Sequence, residues 1–436
     1  MRKSMFKLEA HGALSLVEIS AGLTTFFAMV YVLTVNPIIV SQAGLPMGAL
    51  FTATALGVIL ATLIMAFVAN LPFAVAPGMG LNAFFVVIVS QMGFSWPQAL
   101  TAVLISGVAF VLLSVSPLRE KVLKEVPKSL QHGVCAGIGL MIAYIGLKNS
   151  GLVSLNAQTG PGLGDITSGP ALLVLIGLAI TGLLLALKFR FAILIGIIIT
   201  TLVGIPLGVT QTEKIANGFV SLPPAFGEIF LKFDFSILAS INFWSVVLTL
   251  LFMEVVDGLA GFLGLFGVMG ADGDRYRHKM GKAFIADSMG VVVGSCLGLS
   301  PNTTYAESGA GVASGGRTGL TALVVALCFF LSLFISPLFM MVPFSAVAPA
   351  LVMVGLLMSE SLSKVSYKDP SEIFPAFVVM ILIGLTWRVS DGLAVGWLIY
   401  VFMKVVSHKT KELNSTVWVV AVIFALKMIF SSLGAH

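Results

Sequence analysis

The chain has 436 residues, 58% hydrophobic and only 10% charged, with a mean hydropathy of +1.07. Soluble domains carry about 25% charged residues, so this composition excludes an ordinary soluble enzyme and points to a polytopic membrane protein. The net charge of +5 comes mainly from basic loops, which bear on topology rather than on a nucleic-acid partner.

Met1 to Gly12 is polar and basic and the first apolar run is a full span, so no cleavable signal peptide is expected. A helix needs about 20 apolar residues to cross a bilayer. Continuous spans are predicted at 19–41, 48–70, 97–116, 127–147, 169–187, 190–209, 240–268, 281–297, 318–337, 343–359, 372–387 and 390–407. Two broken segments, 71–91 and 299–316, complete a set of fourteen, and a further apolar run at 416–433 is left over as an interfacial helix or another span. Cys135, Cys296 and Cys328 lie in apolar segments without metal or disulfide spacing and read as packing residues.

Charge placement orients this order. With Arg2, Lys3 and Lys7 inside, the inside loops also hold Arg119, Lys121, Lys124 and Lys128, then Lys188 and Arg190, then Arg275, Arg277, Lys279 and Lys282, then Arg317, Lys364 and Lys368. The outside loops near 148–168 and 210–239 are sparse in basic residues, which is the positive-inside pattern; Arg388 alone dissents. The halves also resemble each other. Residues 55–65 read against 288–298, each followed by a broken segment, and Val126-Pro127-Lys128-Ser129 matches Val342-Pro343-Phe344-Ser345. Seven spans separate these counterparts, an odd number, so the repeats are inverted in the membrane.

The chemistry concentrates at the breaks. In 296–319, Pro301 removes a backbone donor and Asn302-Thr303-Thr304 favours extended or capping backbone, so a short half-helix can begin only after them. Glu307 then lies in its first turn at membrane depth, with Thr303, Thr304 and Ser308 around it. Irregular backbone is tolerated there only inside protein or along a watery cavity, and an ionisable side chain there marks a functional site. The first break, Ala76-Pro77-Gly78-Met79-Gly80-Leu81-Asn82-Ala83-Phe84-Phe85, offers the Asn82 amide and two rings that could stack on a planar ligand. A kinked packing helix is the bland alternative. In span 240–268, Glu254 and Asp257 share a helix face three residues apart. Asp287 on the next span either supports the break or touches ligand. A carboxyl group in a dry cavity resists ionisation, so it can carry a proton and also accept N–H groups from a ligand. This suits a proton-coupled carrier of a flat, nitrogen-rich solute. Neither a Walker motif, a metal cluster, GxSxG nor a Cys/His dyad suggests an enzyme, and Ala271-Asp272-Gly273-Asp274-Arg275 lacks the length and the Glu of a calcium loop.

Residues 76–85, Thr303-Thr-Tyr-Ala-Glu-Ser-Gly-Ala-Gly311 and Gly315-Gly-Arg-Thr-Gly-Leu-Thr-Ala322 resemble the AzgA-like purine permeases of the nucleobase–ascorbate transporter superfamily. The likeness extends to Gly22–Tyr31 with Asn36-Pro37 and to Ala136–Leu140. It implies an all-α fold of two inverted seven-span repeats with spans 3 and 10 broken. A core domain (1–125 and 236–341) would hold the site, and a gate domain (126–235 and 342–436) would move against it, within a homodimer. It further implies import of hypoxanthine, guanine or adenine across the plasma (inner) membrane with protons, no other cofactor, and a cytoplasmic amino terminus. Asp257, Glu307 and Asn82 match the family's ligand positions. Ala83, Phe84, Thr304 and Phe26 are expected beside the base, and Glu254, Asp287 or Glu307 are expected to handle the proton. One departure stands out: Phe252-Met-Glu-Val-Val-Asp-Gly-Leu-Ala-Gly261 has Gly258 and Gly261 where the family usually has Thr. Carriage of another heterocycle, and an anion exchanger or channel of the same architecture, are the competing expectations.

Overall fold

In lipid, backbone polar groups must be satisfied within the segment itself, so long apolar runs fold as helices and breaks need partners. The computed structural model describes residues 6, 15–116, 127–156, 160–189, 191–215, 218–269, 277–386, 389–415, 417–418, 420–422 and 424–425. The first half runs α1 (Ser15–Met29), α2 (Val32–Val40), α3 (Met47–Ile64), β1 (Val75–Pro77), α4 (Met79–Ser90), α5 (Trp96–Val115), α6 (Lys128–Asn149), a hairpin of β2 (Val153–Asn156) and β3 (Gly160–Leu163), α7 (Gly169–Ala186) and α8 (Ala192–Gly204). The second half runs α9 (Ile241–Val268), α10 (Met280–Cys296), β4 (Asn302–Thr304), α11 (Ser308–Ala313), α12 (Gly319–Ser332), α13 (Ser336–Met340), α14 (Phe344–Ser359), α15 (Pro370–Thr386) and α16 (Val389–Val406).

Each of the fourteen expected segments coincides with one of these elements, and the two broken ones are strand-then-helix, β1–α4 and β4–α11. Among the described residues eight helical stretches are long and apolar enough to cross a membrane, with α4, α8 and α15 as shorter apolar helices. The protein is therefore a multi-pass membrane protein, and among the described residues it is helical apart from two small strand pairs.

Two elements differ from the sequence reading. The first span is one helical stretch, Ser15–Ala43, but it tightens in the middle, where α1 ends at Met29 and α2 starts at Val32. Pro37 has no N–H to give the carbonyl of Leu33, and the preceding turn tightens, with Leu33 N–H on Val30 O at 3.1 Å and Thr34 N–H on Tyr31 O at 3.0 Å. The loop near 148–168 holds the β2–β3 hairpin, paired Val153 to Leu163 through Asn156 to Gly160. Of the leftover 416–433, only residues 417–418, 420–422 and 424–425 are described; the Trp397 indole donates to Val417 O at 3.1 Å. The basic residues of 117–126 and 270–276, with Arg2, Lys3, Lys7, Arg190 and Arg388, lie outside the described residues.

By contact the chain divides into two units, 1–116 with 146–350, and 117–145 with 351–436. Residues 146–235, expected with the gate, thus pack with the first unit; packing and relative motion are different criteria for dividing a chain. In the first unit an aromatic ladder joins three helices. Phe73 packs tilted against Phe262 and edge-on against Phe266 of α9, Phe262 meets Phe284 of α10 at 5.1 Å, and Phe284 meets Phe110 of α5 at 6.1 Å. Glycines let helices approach more closely than a side chain would allow: a Cβ at Gly107 of α5 would lie 2.8 Å from Val291 of α10.

In the second unit, Gly139 and Gly355 lie against each other's backbone: a Cβ on either would come 2.6 or 2.5 Å from the other's carbonyl. Lys404 of α16 is fully buried and pairs with Glu372 of α15 and with Glu412, each at 2.5 Å, with its ammonium 5.4 Å from the Tyr400 ring. A buried cation without such partners would be costly.

Candidate transport site

Both breaks meet in one place. β1 and β4 pair antiparallel, Val75 with Thr304, Ala76 with Thr303 and Pro77 with Asn302. The ladder is extended by Gly78 N–H on Pro301 O at 3.0 Å and Tyr305 N–H on Ala74 O at 2.9 Å. Side chains close the remaining valences: Ser308 Oγ accepts from Ala74 N–H at 3.0 Å, Thr62 Oγ1 accepts from Val75 N–H at 3.0 Å, and the Tyr305 hydroxyl donates to Pro77 O at 2.8 Å. The Asn302 amide donates to Gly290 O at 2.9 Å. Irregular backbone at membrane depth is thereby satisfied inside protein, as it must be.

Four carboxylates surround this crossing. Glu254 and Asp287 are sealed, 1% and 0% exposed, whereas Asp257 and Glu307 are half-buried. Ser106 of α5 donates to Glu254 Oε1 at 2.8 Å, and Thr304 of β4 donates to Asp287 Oδ1 at 2.8 Å. The other oxygen of each, Glu254 Oε2 and Asp287 Oδ2, is buried without a partner. Asp257 makes no hydrogen bond among the described residues. Burial with one donor each suits Glu254 and Asp287 to hold elements in place. Partial exposure suits Asp257 and Glu307 to meet a ligand.

The glycines of α9 now have a physical reason. A Cβ at Gly258 would stand 2.9 Å from Asp287 Oδ2, and one at Gly261 would stand 3.2 Å from Thr304 O. Removing both side chains lets α9 lie directly on Asp287 and β4. The hydroxyls expected from the family pattern are absent because Asp287 and the β4 backbone fill that space.

The residues of the first break are closed off. Asn82, Ala83 and Phe84 are at most 1% exposed, and the Asn82 carbonyl accepts from the Ser300 hydroxyl just before β4. Thr304 is 5% exposed and faces Asp287. Phe26 packs edge-on against Phe329 of α12 with centroids 5.2 Å apart, one residue after Thr25, whose hydroxyl occupies the space beside Gly311 of α11. The structure thus gathers Asp257, Glu254, Asp287, Thr304, Asn82 and Glu307 at the crossing, whereas Phe26 packs on Phe329 of α12.

Two participants escaped the sequence reading. Tyr31, between α1 and α2 and 2% exposed, donates its hydroxyl to Glu307. Glu18 of α1, fully buried, accepts from Arg317 N–H at 2.9 Å, Thr318 N–H at 3.3 Å and the Thr321 hydroxyl at 2.5 Å. Glu18 so fixes the turn between α11 and α12. Pro37 was the available signal for Tyr31; Glu18 had none beyond being an acid at the edge of a span. An open cavity of about 480 Å³ lies elsewhere, at the far end of α2 between Ile38, Gln42, Asn149, Gln211 and Phe344, and none of the carboxylates lines it.

Two broken spans crossing as paired strands, with four acids around them, have the architecture of an inverted-repeat membrane transporter. Residues 16–391 match the Permease family labelled Xan_ur_permease, and the chain belongs to that family. It is 39% identical to the guanine/hypoxanthine permease PbuO of Bacillus subtilis over 97% of this chain and 99% of that one. It is 37% identical to the adenine permease AdeP of Escherichia coli over 100% of this chain and 97% of that one. Among solved structures, the transmembrane domain of the cyanobacterial bicarbonate transporter BicA superposes with a TM-score of 0.64 at 16% identity, covering 87% of this chain and 97% of that chain. That last likeness is one of fold.

Proposed function

We propose that this permease carries purine nucleobases (hypoxanthine, guanine or adenine) into the cell, driven by co-transported protons. The observation that carries the reading is the pair of half-buried carboxylates, Asp257 and Glu307, beside the β1–β4 crossing. Purine bases present N–H donors along their edges, and a carboxylate accepts one such group or, from the N1–H and amino group of guanine, two side by side. Full-length similarity to permeases named for guanine, hypoxanthine and adenine supports the same substrate class. In this reading Asp257 and Glu307 bind N–H edges, Glu254 and Asp287 brace them, and the acid that exchanges the proton is one of the four. Asn82, Ala83, Phe84, Thr304 and Phe26 come into play when the core (1–125, 236–341) moves against the gate (126–235, 342–436) in an elevator-like cycle. The protein would work as a homodimer in the plasma membrane with its amino terminus in the cytoplasm.

The fold alone would equally serve an anion exchanger, but acids at the crossing repel an anionic substrate. The test is uptake of labelled hypoxanthine, guanine, adenine, xanthine, uracil and bicarbonate in a host without its own base permeases, at acid and neutral pH. At least one purine should enter, faster at acid pH. Glu307→Gln, present in the membrane at the wild-type level, should slow uptake by about 10- to 100-fold, the worth of a hydrogen bond to a charged group. Purine uptake at the wild-type rate by Glu307→Gln removes Glu307 from the site. Bicarbonate flux without base uptake overturns the substrate class.

A further inference from the structure

We infer that Tyr31 is an internal competitor for the ligand-binding carboxylate: its hydroxyl occupies Glu307 when no base is bound and must leave when one arrives. The inference rests on the reading of Glu307 as a ligand-binding group. The Tyr31 hydroxyl donates to Glu307 Oε1 across 276 residues of sequence, so one of the two oxygens that a purine N–H edge would use is already engaged. Tyr31 is 2% exposed, yet Glu307 is only half-buried and Ala306 beside it is exposed. Glu307 can therefore be reached from the open side while Tyr31 holds it from the closed side.

The backbone around Tyr31 is locally tightened. It falls between α1 and α2, where Leu33 and Thr34 make i→i−3 hydrogen bonds beside the regular bonds of Val30 N–H on Phe26 O and Val35 N–H on Tyr31 O. A short tight turn within a helix is a place where the helix can hinge. Below it, Thr25 and Ala21 of α1 touch Gly311, where a Cβ would come 2.1 Å from Thr25 Oγ1, so α1 is fixed to the half-helix that follows Glu307. Above it, α2 is free of that contact and carries Asn36, whose amide donates to Thr54 of α3 at 2.6 Å. Swinging Tyr31 off Glu307 therefore displaces α2 relative to α1, and the hydroxyl links site occupancy to that displacement. Tyr305 does a different job, because its hydroxyl is committed to Pro77 O.

The test compares wild type, Tyr31→Phe and, as a control away from the site, Tyr367→Phe at an exposed tyrosine in uptake of the purine that wild type prefers. Tyr31→Phe keeps the ring and removes only the competing donor. Its KM should fall three- to tenfold, a tenfold fall corresponding to about 1.4 kcal/mol. Its maximal rate should not rise, and Tyr367→Phe should leave KM within a factor of two. An unchanged KM in Tyr31→Phe means that the hydroxyl does not compete, and a raised KM means that it binds the ligand; either overturns the inference. Infrared difference spectra of purified wild type with labelled tyrosine give a check that needs no variant. Adding purine should shift one tyrosine C–O stretch away from its carboxylate-bonded position, and no shift overturns the inference. If wild type moves no purine at all, the proposed function has failed instead, whatever Tyr31 does.

Discussion

Gly258 offers the sharpest check on how the carboxylate layer is held. A methyl group there would lie 2.9 Å from Asp287 Oδ2, 3.5 Å from Phe284 and 3.8 Å from Phe110. The first contact is too close to keep, so Asp287 must turn or α9 must move out. Asp287 cannot turn freely, because Thr304 holds its other oxygen at 2.8 Å and Thr304 is part of β4. Overpacking of this kind costs about 1–3 kcal/mol. Alanine in place of glycine within a helix returns about 1 kcal/mol, leaving Gly258→Ala destabilised by about 0–2 kcal/mol. Gly182 of α7 is the control, because nothing lies within 4 Å of a Cβ there. Gly182→Ala should keep the whole propensity gain of about 1 kcal/mol. Thermal inactivation of purified protein should rank Gly182→Ala at or above wild type and Gly258→Ala below it. Uptake by Gly258→Ala should fall severalfold, since displaced Asp287 drags β4 and with it the turn carrying Glu307. If Gly258→Ala is as stable as Gly182→Ala and transports normally, Asp287 does not brace the site through this contact.

Two further outcomes follow from hydrogen bonds at either end of the molecule. Ser106→Ala leaves both oxygens of the sealed Glu254 without a donor, which should cost about 1–3 kcal/mol and lower the maximal uptake rate; a variant indistinguishable from wild type in both would show that Glu254 is braced from elsewhere. Asp369, in the loop before α15, has its carboxyl held down to about 2 by the Lys409 ammonium at 2.6 Å, with Ser371 adding two more donors. A depressed carboxyl stabilises the fold above its unfolded value near 3.8 and loses that contribution as pH falls from about 4 to about 2. Asp369→Ala should therefore be less stable than wild type by about 1 kcal/mol at neutral pH, since the partly exposed pair is screened. Thermal unfolding should show that gap closing over the same window, and a gap independent of pH would assign it to packing alone.

Much of this architecture was legible because the bilayer imposes simple rules. Long apolar runs could only be helices, and the Pro-Gly run at 77–80 and Pro301-Asn302-Thr303-Thr304 could only be breaks that needed partners. That each break contains a strand, and that the two pair with each other, lay beyond reach: three-residue strands carry no periodicity, and their partner is more than two hundred residues away. The acids were legible individually, since charge at membrane depth is rare. Their division into a sealed pair and a half-open pair was not, because Glu254 and Asp257 share one helix face and differ only in what packs there. Tyr31 was hidden for the opposite reason. A tyrosine directly after Phe26-Phe27-Ala28-Met29-Val30 looks like one more apolar residue until its hydroxyl meets an acid.

The pairing of β1 with β4 also constrains how the protein can be made. Val75 and Thr304 are joined in the register, yet a ribosome reaches the second codon long after the first segment has entered the membrane. Until then the groups that face β4, such as the Ala74 carbonyl and the Gly78 N–H, lack their partners, and an open strand edge is not tolerated in hydrocarbon. The first half must wait with that segment in a water-filled insertion channel, or borrow a partner from a chaperone. A chain halted before residue 302 should accordingly be recognised as unfinished and degraded, however many complete helices it already contains.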